Sequence, residues 1–281
     1  MDVTTSVLYC IEGNISCGKS TVIDNLRLLG YKVFEEPLEM WQKEYVHNGE
    51  NILNLFYTNM KKWGFKFEMV SMMTRYKQLQ SALKSLQSGE SIVVFIERSL
   101  LTDRYIFALN LYHNGVFNEL EWKIYCDWHD LFMDMVRQLT SDKKITTEYI
   151  YIQTPPEECY ARKIGRARAE ENDVAPKYFH ELHEKHEEWL STGWLVNSVG
   201  SGVLNGANTW DGAESNVNAG DSVESNVNAA NITRASVAIN HNYARVHIIH
   251  GYETRERVLE QIVNILGPNQ LIKKFISLVE K

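Results

Sequence analysis

The amino-acid sequence predicts an α/β fold in which a mostly parallel sheet is flanked by helices on both sides. Short apolar runs of strand length alternate with segments of helical spacing along most of the 281 residues. The runs "VLYCI" and "SIVVFIERS" are largely apolar, which is typical of strands that are buried on both faces of a parallel sheet. A glycine-rich turn after the first run leads directly into a helical segment. These three observations favour a large α/β domain.

The individual elements follow from the same patterns in chain order. The first strand begins at Val7, and the helical segment "STVIDNLRLLG" stops at Gly30. "YKVFEEP" predicts a short second strand that Pro37 ends, and a long helical region runs from about residue 51 to residue 86. The remaining elements are the strand "SIVVFIERS", helical sequence over 102–139, the strand "EYIYIQ", helical sequence over 156–194 with a charged interruption near 166–175, the strand "ARVHIIHG" and the helix "TRERVLEQIVNIL".

Two segments do not fit this alternation. Residues 197–241 are rich in Asn, Ser, Gly, Ala and Val, show neither a helical nor a strand period, and contain "ESNVNA" twice. Their low hydrophobicity and few aromatic residues predict a disordered or loosely ordered insertion without a binding role. "GPNQLIKKFISLVEK" predicts an additional C-terminal helix at about 267–281. We therefore expect one domain over residues 1–281, interrupted by one insertion.

Composition and charge disfavour several classes of protein. The net charge of −7 argues against a nucleic-acid binder, because neutralising phosphates requires a clustered basic surface. No apolar run reaches the roughly 18 residues of a membrane helix, and the few residues before the first strand leave no room for a signal peptide. The four cysteines lack metal-ligand spacing, so we expect reduced thiols and a cytoplasmic location.

A phosphate-binding loop follows the first strand. "GNISCGKS" satisfies the pattern G-x-x-x-x-G-K-[ST] between an apolar strand and an amphipathic helix. In such a loop the backbone N–H groups and the helix N-terminus face phosphate oxygens, Lys19 reaches the terminal phosphates and Ser20 offers its hydroxyl to Mg²⁺. The sequence therefore predicts a site for a nucleoside triphosphate made by Gly13, Asn14, Ser16, Cys17, Gly18, Lys19, Ser20 and Thr21.

Phosphoryl transfer to a small acceptor is the activity that the rest of the sequence favours. A guanine-nucleotide switch would need a DxxG strand end and an N-K-x-D-type base reader, and we find neither. The third predicted strand ends instead in "ERS", and an Arg-rich stretch appears later in the chain. Arginines that close over the phosphates suit a small-molecule kinase.

Several motifs together resemble the deoxyribonucleoside kinases, especially the deoxycytidine and deoxyguanosine kinase branch. The motifs are "EGNISCGKST", "EEP", "ERSLLTDRYIF", "EWKIYCDWHD" and "EKHEEWL", and the similarity covers about residues 7–195 and 245–266. The resemblance implies a P-loop kinase fold with an Arg-rich lid and a homodimer formed through a helix bundle. It also implies transfer of the ATP γ-phosphoryl group to the 5′-hydroxyl of a deoxyribonucleoside, a step of nucleotide salvage.

The resemblance assigns the chemistry to particular residues. Glu36 matches the general base that accepts the 5′-hydroxyl proton. Glu97 matches the acid that is associated with Mg²⁺, and Arg98 matches the arginine that orients the 5′-hydroxyl and neutralises developing charge. "CYARKIGRARAEEN" resembles the lid of the family. The residues that this lid is expected to bring to the phosphates are Arg162, Arg166 and Arg168.

Residues for the sugar and the base follow from the same resemblance. Glu171 matches the lid acid that binds the sugar 3′-hydroxyl, and Tyr57 matches its partner on the long helix. Phe107 matches the residue that stacks on the base. The other residues expected around the base are Ile15, Trp41, Phe67, Ser71, Arg75 and Asp103, where Asp103 would hold Arg75 in place, and where plain core packing explains Trp41 and Phe67 equally well.

Glu68 is the departure from the family that bears most directly on the substrate, because the family places a Gln there. An ionised Glu offers only acceptors, and guanine presents two neighbouring donors, N1–H and the exocyclic amine. The sequence therefore raises the hypothesis of a bias toward deoxyguanosine. The alternative is a protonated Glu68 that imitates Gln, since burial raises the pKa of a carboxyl group. A second departure is His250, which stands where an acid is usual near the donor base.

Two other functions fit part of the pattern. A nucleoside monophosphate kinase of the thymidylate kinase type must bind an acceptor phosphate and usually shows a "DR" pair with an extra Arg, whereas "EEP" and "ERS" favour a neutral acceptor. A non-catalytic nucleotide-binding subunit is the other alternative. It is disfavoured because the chain keeps Lys19, Ser20, Glu36, Glu97 and Arg98.

Overall fold

A central sheet organises the molecule, as seen in a computed structural model that describes residues 6–140, 145–191, 233–239 and 242–267. The strands in these residues are β1 (Ser6–Glu12), β2 (Lys32–Phe34), β3 (Val46–His47), β4 (Glu50–Asn51), β5 (Val93–Glu97), β6 (Ile145–Gln153), β7 (Thr233–Ile239) and β8 (Asn242–His250). Within the described chain the main sheet has six strands in the order β2-β5-β1-β6-β8-β7, and β3 pairs with β4 separately.

Parallel pairing dominates the main sheet. β1 lies between β5 and β6, β2 lies beside β5, and β8 lies beside β6, and all four of these pairs are parallel. The central strands are buried on both faces, as shown by Cys10 and Ile11 in β1, Phe95 in β5 and Ile150 in β6. The predicted α/β fold with a mostly parallel sheet is confirmed.

β7 corrects the prediction for part of the insertion. Residues 233–239 form an edge strand that pairs with β8 in antiparallel register, so the absence of regular structure that we predicted there is wrong. The physical reason is that β8 supplies the backbone partners of this strand, and composition does not report a tertiary partner. Residues 197–232 and 240–241, like the C-terminal helix predicted beyond residue 267, lie outside the described residues.

Helices cover both faces of the sheet. The α-helices in the described ranges are α1 (Lys19–Leu28), α2 (Leu38–Lys43), α3 (Ile52–Thr58), α4 (Met60–Gln87), α5 (Leu100–Thr102), α6 (Leu109–His113), α7 (Glu119–Thr140), α8 (Pro156–Arg166), α9 (Pro176–His186) and α10 (Arg255–Leu266). Between α5 and α6 lies a π-helix, Asp103–Ala108. No helix of the described chain is both long and apolar enough to cross a membrane.

The long helical region predicted near residues 51–86 is two helices rather than one. Asn59 separates α3 from α4 with an extended backbone, and its side chain accepts a hydrogen bond from the N–H of Lys62 at 3.1 Å. Asn51 caps α3 in the same way by accepting from the N–H of Asn54 at 2.8 Å. Side chains of both α3 and α4 line one cavity, which is described below.

The topology brings three segments that carry predicted site residues to one edge of the sheet. β2, β5 and β1 are neighbours and run parallel, so their carboxyl ends meet at that edge. The phosphate loop follows β1, Glu36 follows β2, and Glu97 and Arg98 lie at the end of β5. Residues that are far apart in the sequence are therefore neighbours here.

Candidate active site

A cavity of about 610 Å³ opens at the carboxyl ends of these strands. Its volume suits a nucleoside together with part of a phosphate chain. The predicted site residues that line it are Ile15, Ser16, Cys17, Gly18, Lys19, Ser20, Thr21, Glu36, Trp41, Tyr57, Phe67, Glu68, Ser71, Arg75, Glu97, Arg98, Phe107, Arg162, Arg166, Arg168 and Glu171. Three predicted residues lie just behind its wall, namely Gly13, Asn14 and Asp103.

The phosphate loop adopts positive φ angles at three positions, the first of which is Gly13 with φ 142°. Ser16 has φ 59°, and Gly18, which precedes α1, has φ 113°. Gly18 meets no severe obstacle to a Cβ, so its backbone angle rather than space requires a glycine there. Lys19 is buried, and its ammonium group donates to the carbonyl oxygens of Asn14 at 2.8 Å and Gly13 at 3.3 Å. These contacts fix the Lys19 side chain across the phosphate loop.

Gly13 and Asn14 anchor the loop from behind. A Cβ on Gly13 would approach the Sγ of Cys17 to 2.7 Å and the carbonyl oxygen of Ile152 to 2.8 Å, so only glycine allows the loop to pass β6 here. The side-chain amide of Asn14 donates to the carbonyl oxygen of Phe179 at 2.8 Å, which ties the loop to α9. The Asn14 side chain thus faces the protein interior instead of the cavity.

Glu36 lies among cations at the centre of the site. Its Oε1 is 2.5 Å from Nη2 of Arg75 and 3.4 Å from Nε of Arg98. Burial acts to raise the pKa of Glu36, but the positive charges of Arg75, Arg98 and Lys19 outweigh it and lower this pKa to about 2. Glu36 is therefore a carboxylate at neutral pH, which is the form that can accept a hydroxyl proton.

Glu97 and Ser20 provide oxygen atoms that fit Mg²⁺. Glu97 lies 8% exposed at the end of β5, and its Oε2 accepts a hydrogen bond from the N–H of Glu36 at 3.2 Å. Burial and the negative charge of Glu36 raise the pKa of Glu97, a cost that a bound cation would relieve. One carboxylate and one hydroxyl match the few protein ligands of a Mg²⁺ that phosphates and water also coordinate. The described residues contain no cluster of three metal-ligating side chains.

Arg98 is held in a strained position by a residue that the sequence analysis missed. Its φ of 62° is left-handed, which is uncommon for a side chain of this size. Glu12 fixes the turn from below, since it accepts hydrogen bonds from the N–H of Ser99 at 2.9 Å and from the hydroxyl of Thr102. The only signal for Glu12 in the sequence was its position as an acidic residue at the end of the buried first strand.

The lid arginines contact two different partners. Nη1 of Arg162 donates to the carbonyl oxygens of Gly251 at 2.9 Å and Cys17 at 3.1 Å, which brings α8 against the phosphate loop. Arg166 and Arg168 both form ion pairs with Glu171, and Nη1 of Arg168 lies 2.9 Å from Oε1 of Glu171. Two of the three arginines predicted for the phosphates therefore form a cluster with the acid predicted for the sugar, and Arg162 lies outside it.

Tyr57 lines the same cavity as this cluster. Burial raises the pKa of Tyr57, and the negative charges of Glu171 and Glu36 raise it further. Its hydroxyl therefore keeps its proton and remains a hydrogen-bond donor at any ordinary pH.

Aromatic side chains form the walls at the other end of the cavity. Trp41 and Phe67 pack edge to face with ring centres 5.2 Å apart, and the indole N–H of Trp41 donates to the hydroxyl of Thr74 at 3.0 Å. The ring centre of Phe107, on the π-helix, lies 4.9 Å from the guanidinium carbon of Arg98. Trp41 and Phe67 thus belong to the core and to the cavity wall at once, so neither interpretation made from the sequence excludes the other.

A polar network crosses this end of the cavity. Oδ1 of Asp103 forms an ion pair with Nε of Arg75 at 2.7 Å and accepts a hydrogen bond from the hydroxyl of Ser71 at 3.0 Å, so Asp103 does hold Arg75 in place. Glu68 is 1% exposed, and its Oε2 has no hydrogen-bond partner among the described residues. Tyr178 on α9 also lines the cavity with its hydroxyl unpaired in the described chain. No pattern in the sequence identified Tyr178, because its neighbours are those of an ordinary helix.

Comparison with known proteins agrees with this geometry. The family model for "Deoxynucleoside kinase" matches residues 9–262. The chain is similar to human deoxycytidine kinase, with 39% identity over 195 residues that cover 64% of this chain and 74% of that protein. It is 40% identical over 184 residues to a probable deoxycytidine kinase of fowlpox virus (strain NVSL), covering 64% and 70% of the two chains. It is 36% identical over 198 residues to the mitochondrial deoxyguanosine kinase of Xenopus laevis, covering 64% and 72%.

The family model spans most of the chain, including the phosphate loop, the strand-end acids and the lid. Relatives named for deoxycytidine and for deoxyguanosine match it with similar identity, so the comparisons do not resolve the base. The chain therefore belongs to the deoxynucleoside kinase family and is an ATP-dependent nucleoside kinase of nucleotide salvage.

Proposed function

We propose that this kinase phosphorylates the 5′-hydroxyl of a deoxyribonucleoside with Glu36 as its general base and Arg98 as the group that stabilises developing charge. The observation that carries the proposal is that Glu36, Arg98 and Lys19 line one cavity, with Arg98 Nε 3.4 Å from Glu36 Oε1. Lys19 belongs to the phosphate loop and Glu36 to the nucleoside side. A γ-phosphoryl group between them would lie in line with the attacking hydroxyl.

The low pKa of Glu36 fits a late proton transfer. A carboxylate whose pKa is about 2 is too weak a base to ionise a free hydroxyl, but it accepts a hydrogen bond that orients the oxygen for attack. Once the new P–O bond forms, that oxygen becomes strongly acidic and its proton passes to Glu36. The loose transition state of phosphoryl transfer needs positioning more than early deprotonation.

Mg²⁺ is the metal that the site supports. Ser20 and Glu97 would hold it beside the phosphates, where a divalent cation neutralises charge on the phosphate oxygens. Arg162, Arg166 and Arg168 would add positive charge from the lid.

A base pocket of the purine or cytosine type is the substrate end of the proposal. Ser71, Arg75 and Asp103 form a hydrogen-bonded set there, and Phe107 offers a ring face. The names of the relatives point to the same bases. Tyr57 and Glu171 would bind the 3′-hydroxyl of the sugar. Deoxyguanosine bias remains a hypothesis that depends on the charge of Glu68.

A panel of the four deoxynucleosides with ATP tests the proposal. We expect turnover with at least one of them in the wild type. Glu36→Ala should lower kcat by about 10²- to 10⁴-fold, the usual contribution of a positioned base, with ATP binding retained in calorimetry. Glu39→Ala is the matched control, because Glu39 is exposed and pairs only with Lys43 at the surface. Equal kcat for the two variants would contradict the role of Glu36.

We further infer a homodimer formed through α7. This helix exposes large apolar side chains at helical spacing along one face, namely Leu120, Ile124, Trp128, Leu131 and Met135. A second copy would cover that face. Sedimentation should show a dimer that Trp128→Glu weakens and that Lys177→Glu, on α9, does not; a wild-type monomer at micromolar concentration would contradict it.

All four cysteines are unpaired thiols, which supports a cytoplasmic location.

A further inference from the structure

The inference concerns Glu68, and it rests on the proposed function of the cavity. Glu68, Ser71 and Arg75 are spaced by three and four residues, so they lie on one face of α4. All three line the cavity at the end where the base is expected. Glu68 differs from its two neighbours because they have hydrogen-bond partners, whereas Glu68 Oε2 has none among the described residues.

Arg75 forms no ion pair with Glu68 in the described chain, because its paired nitrogens contact other acids. Its Nη2 pairs with Glu36 at 2.5 Å and its Nε with Asp103 at 2.7 Å. Its remaining nitrogen, Nη1, is buried without a hydrogen-bond partner in the described chain. One arginine thus stands beside three buried acids and forms ion pairs with two of them.

Asp103 and Glu68 compete for the charge that this arginine can compensate. Asp103 has both Arg75 and the hydroxyl of Ser71 as partners, whereas Glu68 Oε2 has neither a cation nor a donor among the described residues. An isolated carboxylate in the interior costs several kcal/mol, and such a group keeps its proton instead. The proton therefore belongs on Glu68, and the negative charge belongs on Asp103.

Every ionisable group around Glu68 can be named. The acids that oppose its charge are Asp103 on the π-helix and Glu36 after β2, and the cations that favour it are Arg75 on α4 and Arg98 after β5. The phenols of Tyr125 on α7 and Tyr178 on α9 also face this region. Burial first, and then the charge of Asp103, raise the pKa of Glu68 well above its ordinary value.

We propose that Glu68 works as a neutral carboxylic acid that reads the nucleobase with one O–H donor and one C=O acceptor. That pair complements a ring nitrogen acceptor beside an exocyclic amine, the arrangement on cytosine at N3 and N4 and on adenine at N1 and N6. Guanine presents N1–H between O6 and its exocyclic amine, so the neutral acid can pair with N1–H and O6, whereas an ionised Glu68 could accept from N1–H and the amine but would have no donor for cytosine or adenine.

The proposal predicts that Glu68 matches cytosine and adenine only while it keeps its proton, and that loss of this proton shifts the preference toward deoxyguanosine. It chooses between the two options that the sequence left open for Glu68. Glutamate then performs the task of the family's glutamine, with a proton in place of the amide hydrogens. The difference is that a carboxylic acid can lose its proton and an amide cannot.

The protonation state can be measured without any catalysis. In an isotope-edited infrared difference spectrum near neutral pH, the wild type minus Glu68→Gln should show the C=O band of a protonated carboxyl group. Carboxylate bands alone in that difference would overturn the proposal. Glu68→Gln preserves size and hydrogen bonding, so the spectra compare two folded proteins.

The reading of the base is tested by removing both hydrogen-bonding atoms. Glu68→Leu should lower kcat/KM for deoxycytidine by about 10- to 100-fold, since two hydrogen bonds to the base are lost. Glu68→Met is the second variant, in case leucine disturbs folding. An unchanged kcat/KM for deoxycytidine in both folded variants would overturn the inference. A wild type that phosphorylates no nucleoside would instead overturn the proposed function.

Discussion

The two ends of the cavity treat charge in opposite ways. At the phosphate end, Glu36 lies among Arg75, Arg98 and Lys19, and its pKa is lowered to about 2. At the base end, Glu68 is more deeply buried and has no ion-pair partner in the described chain, and burial raises its pKa. The same side-chain type is thus ionised at one end and neutral at the other because of its partners. The charged end suits a phosphoryl group, and the neutral end suits an uncharged base.

Arg75 connects the two ends. It is 3% exposed and pairs with Glu36 on one side and Asp103 on the other. Chemistry and base selection therefore share one residue, although most of the remaining side chains serve one end only. This difference predicts that substitutions at the two ends produce different kinetic signatures.

The largest effect is expected at the phosphate end. Lys19→Met removes a buried cation that faces the phosphates, so kcat/KM should fall by about 10²- to 10³-fold, with the same factor for every deoxynucleoside. The measurement is the four-nucleoside panel, with Lys177→Met as a control at an exposed position. A loss that depends on the base would break the separation of the two ends.

Arg75→Met should disturb both ends at once. Removing Arg75 leaves the buried Asp103 without an ion-pair partner in the described chain and leaves Glu36 with only Arg98 and Lys19, so the free energy of unfolding should fall by about 3–5 kcal/mol. The pKa of Glu36 should also rise from about 2, which moves the acidic loss of kcat to higher pH. Denaturant titration and a pH–rate profile measure the two effects. An unchanged profile would mean that Arg75 does not control Glu36.

A smaller effect is expected in the pH dependence of stability. Because the folded protein holds the proton of Glu68 more tightly than the unfolded chain, stability falls as pH rises from the ordinary glutamate pKa to the raised one. Glu68→Gln has no such dependence, so its stability relative to the wild type should grow by up to about 1.4 kcal/mol for each pH unit in that window. Thermal unfolding of both proteins across pH measures the difference. Parallel curves would contradict the raised pKa.

The contrast between the two ends also explains what the sequence could predict. The phosphate end is encoded in local patterns, because a loop pattern at Gly13–Ser20 and acids at strand ends meet whenever the strands are parallel neighbours. The base end depends on tertiary partners. Glu68 could be identified as a departure, but its lack of a cation follows from Arg75 pairing with Glu36, which lies 39 residues away in the sequence.

The residues that the sequence did not identify were missed for the same reason. Glu12 acquires its role by accepting a hydrogen bond from the turn after β5. Tyr178 acquires its role because α9 places it in the wall of the cavity. β7 likewise depends on its pairing with β8. The break at Asn59 is different, since a side chain that caps its own helix leaves a local signal, and an asparagine before a helical run could have indicated it.

The pH dependence of base preference tests the central claim most directly. The kcat/KM ratio of deoxycytidine to deoxyguanosine should be measured between about pH 7 and about pH 8.5, which lies above the pKa of Asp103, raised by burial to about 6. The ratio cancels effects on phosphoryl transfer that both nucleosides share. The account predicts a ratio that falls as pH rises toward the pKa of Glu68 in the wild type and stays constant in Glu68→Gln. A ratio below one near neutral pH that Glu68→Gln reverses would show an ionised Glu68 and contradict the account.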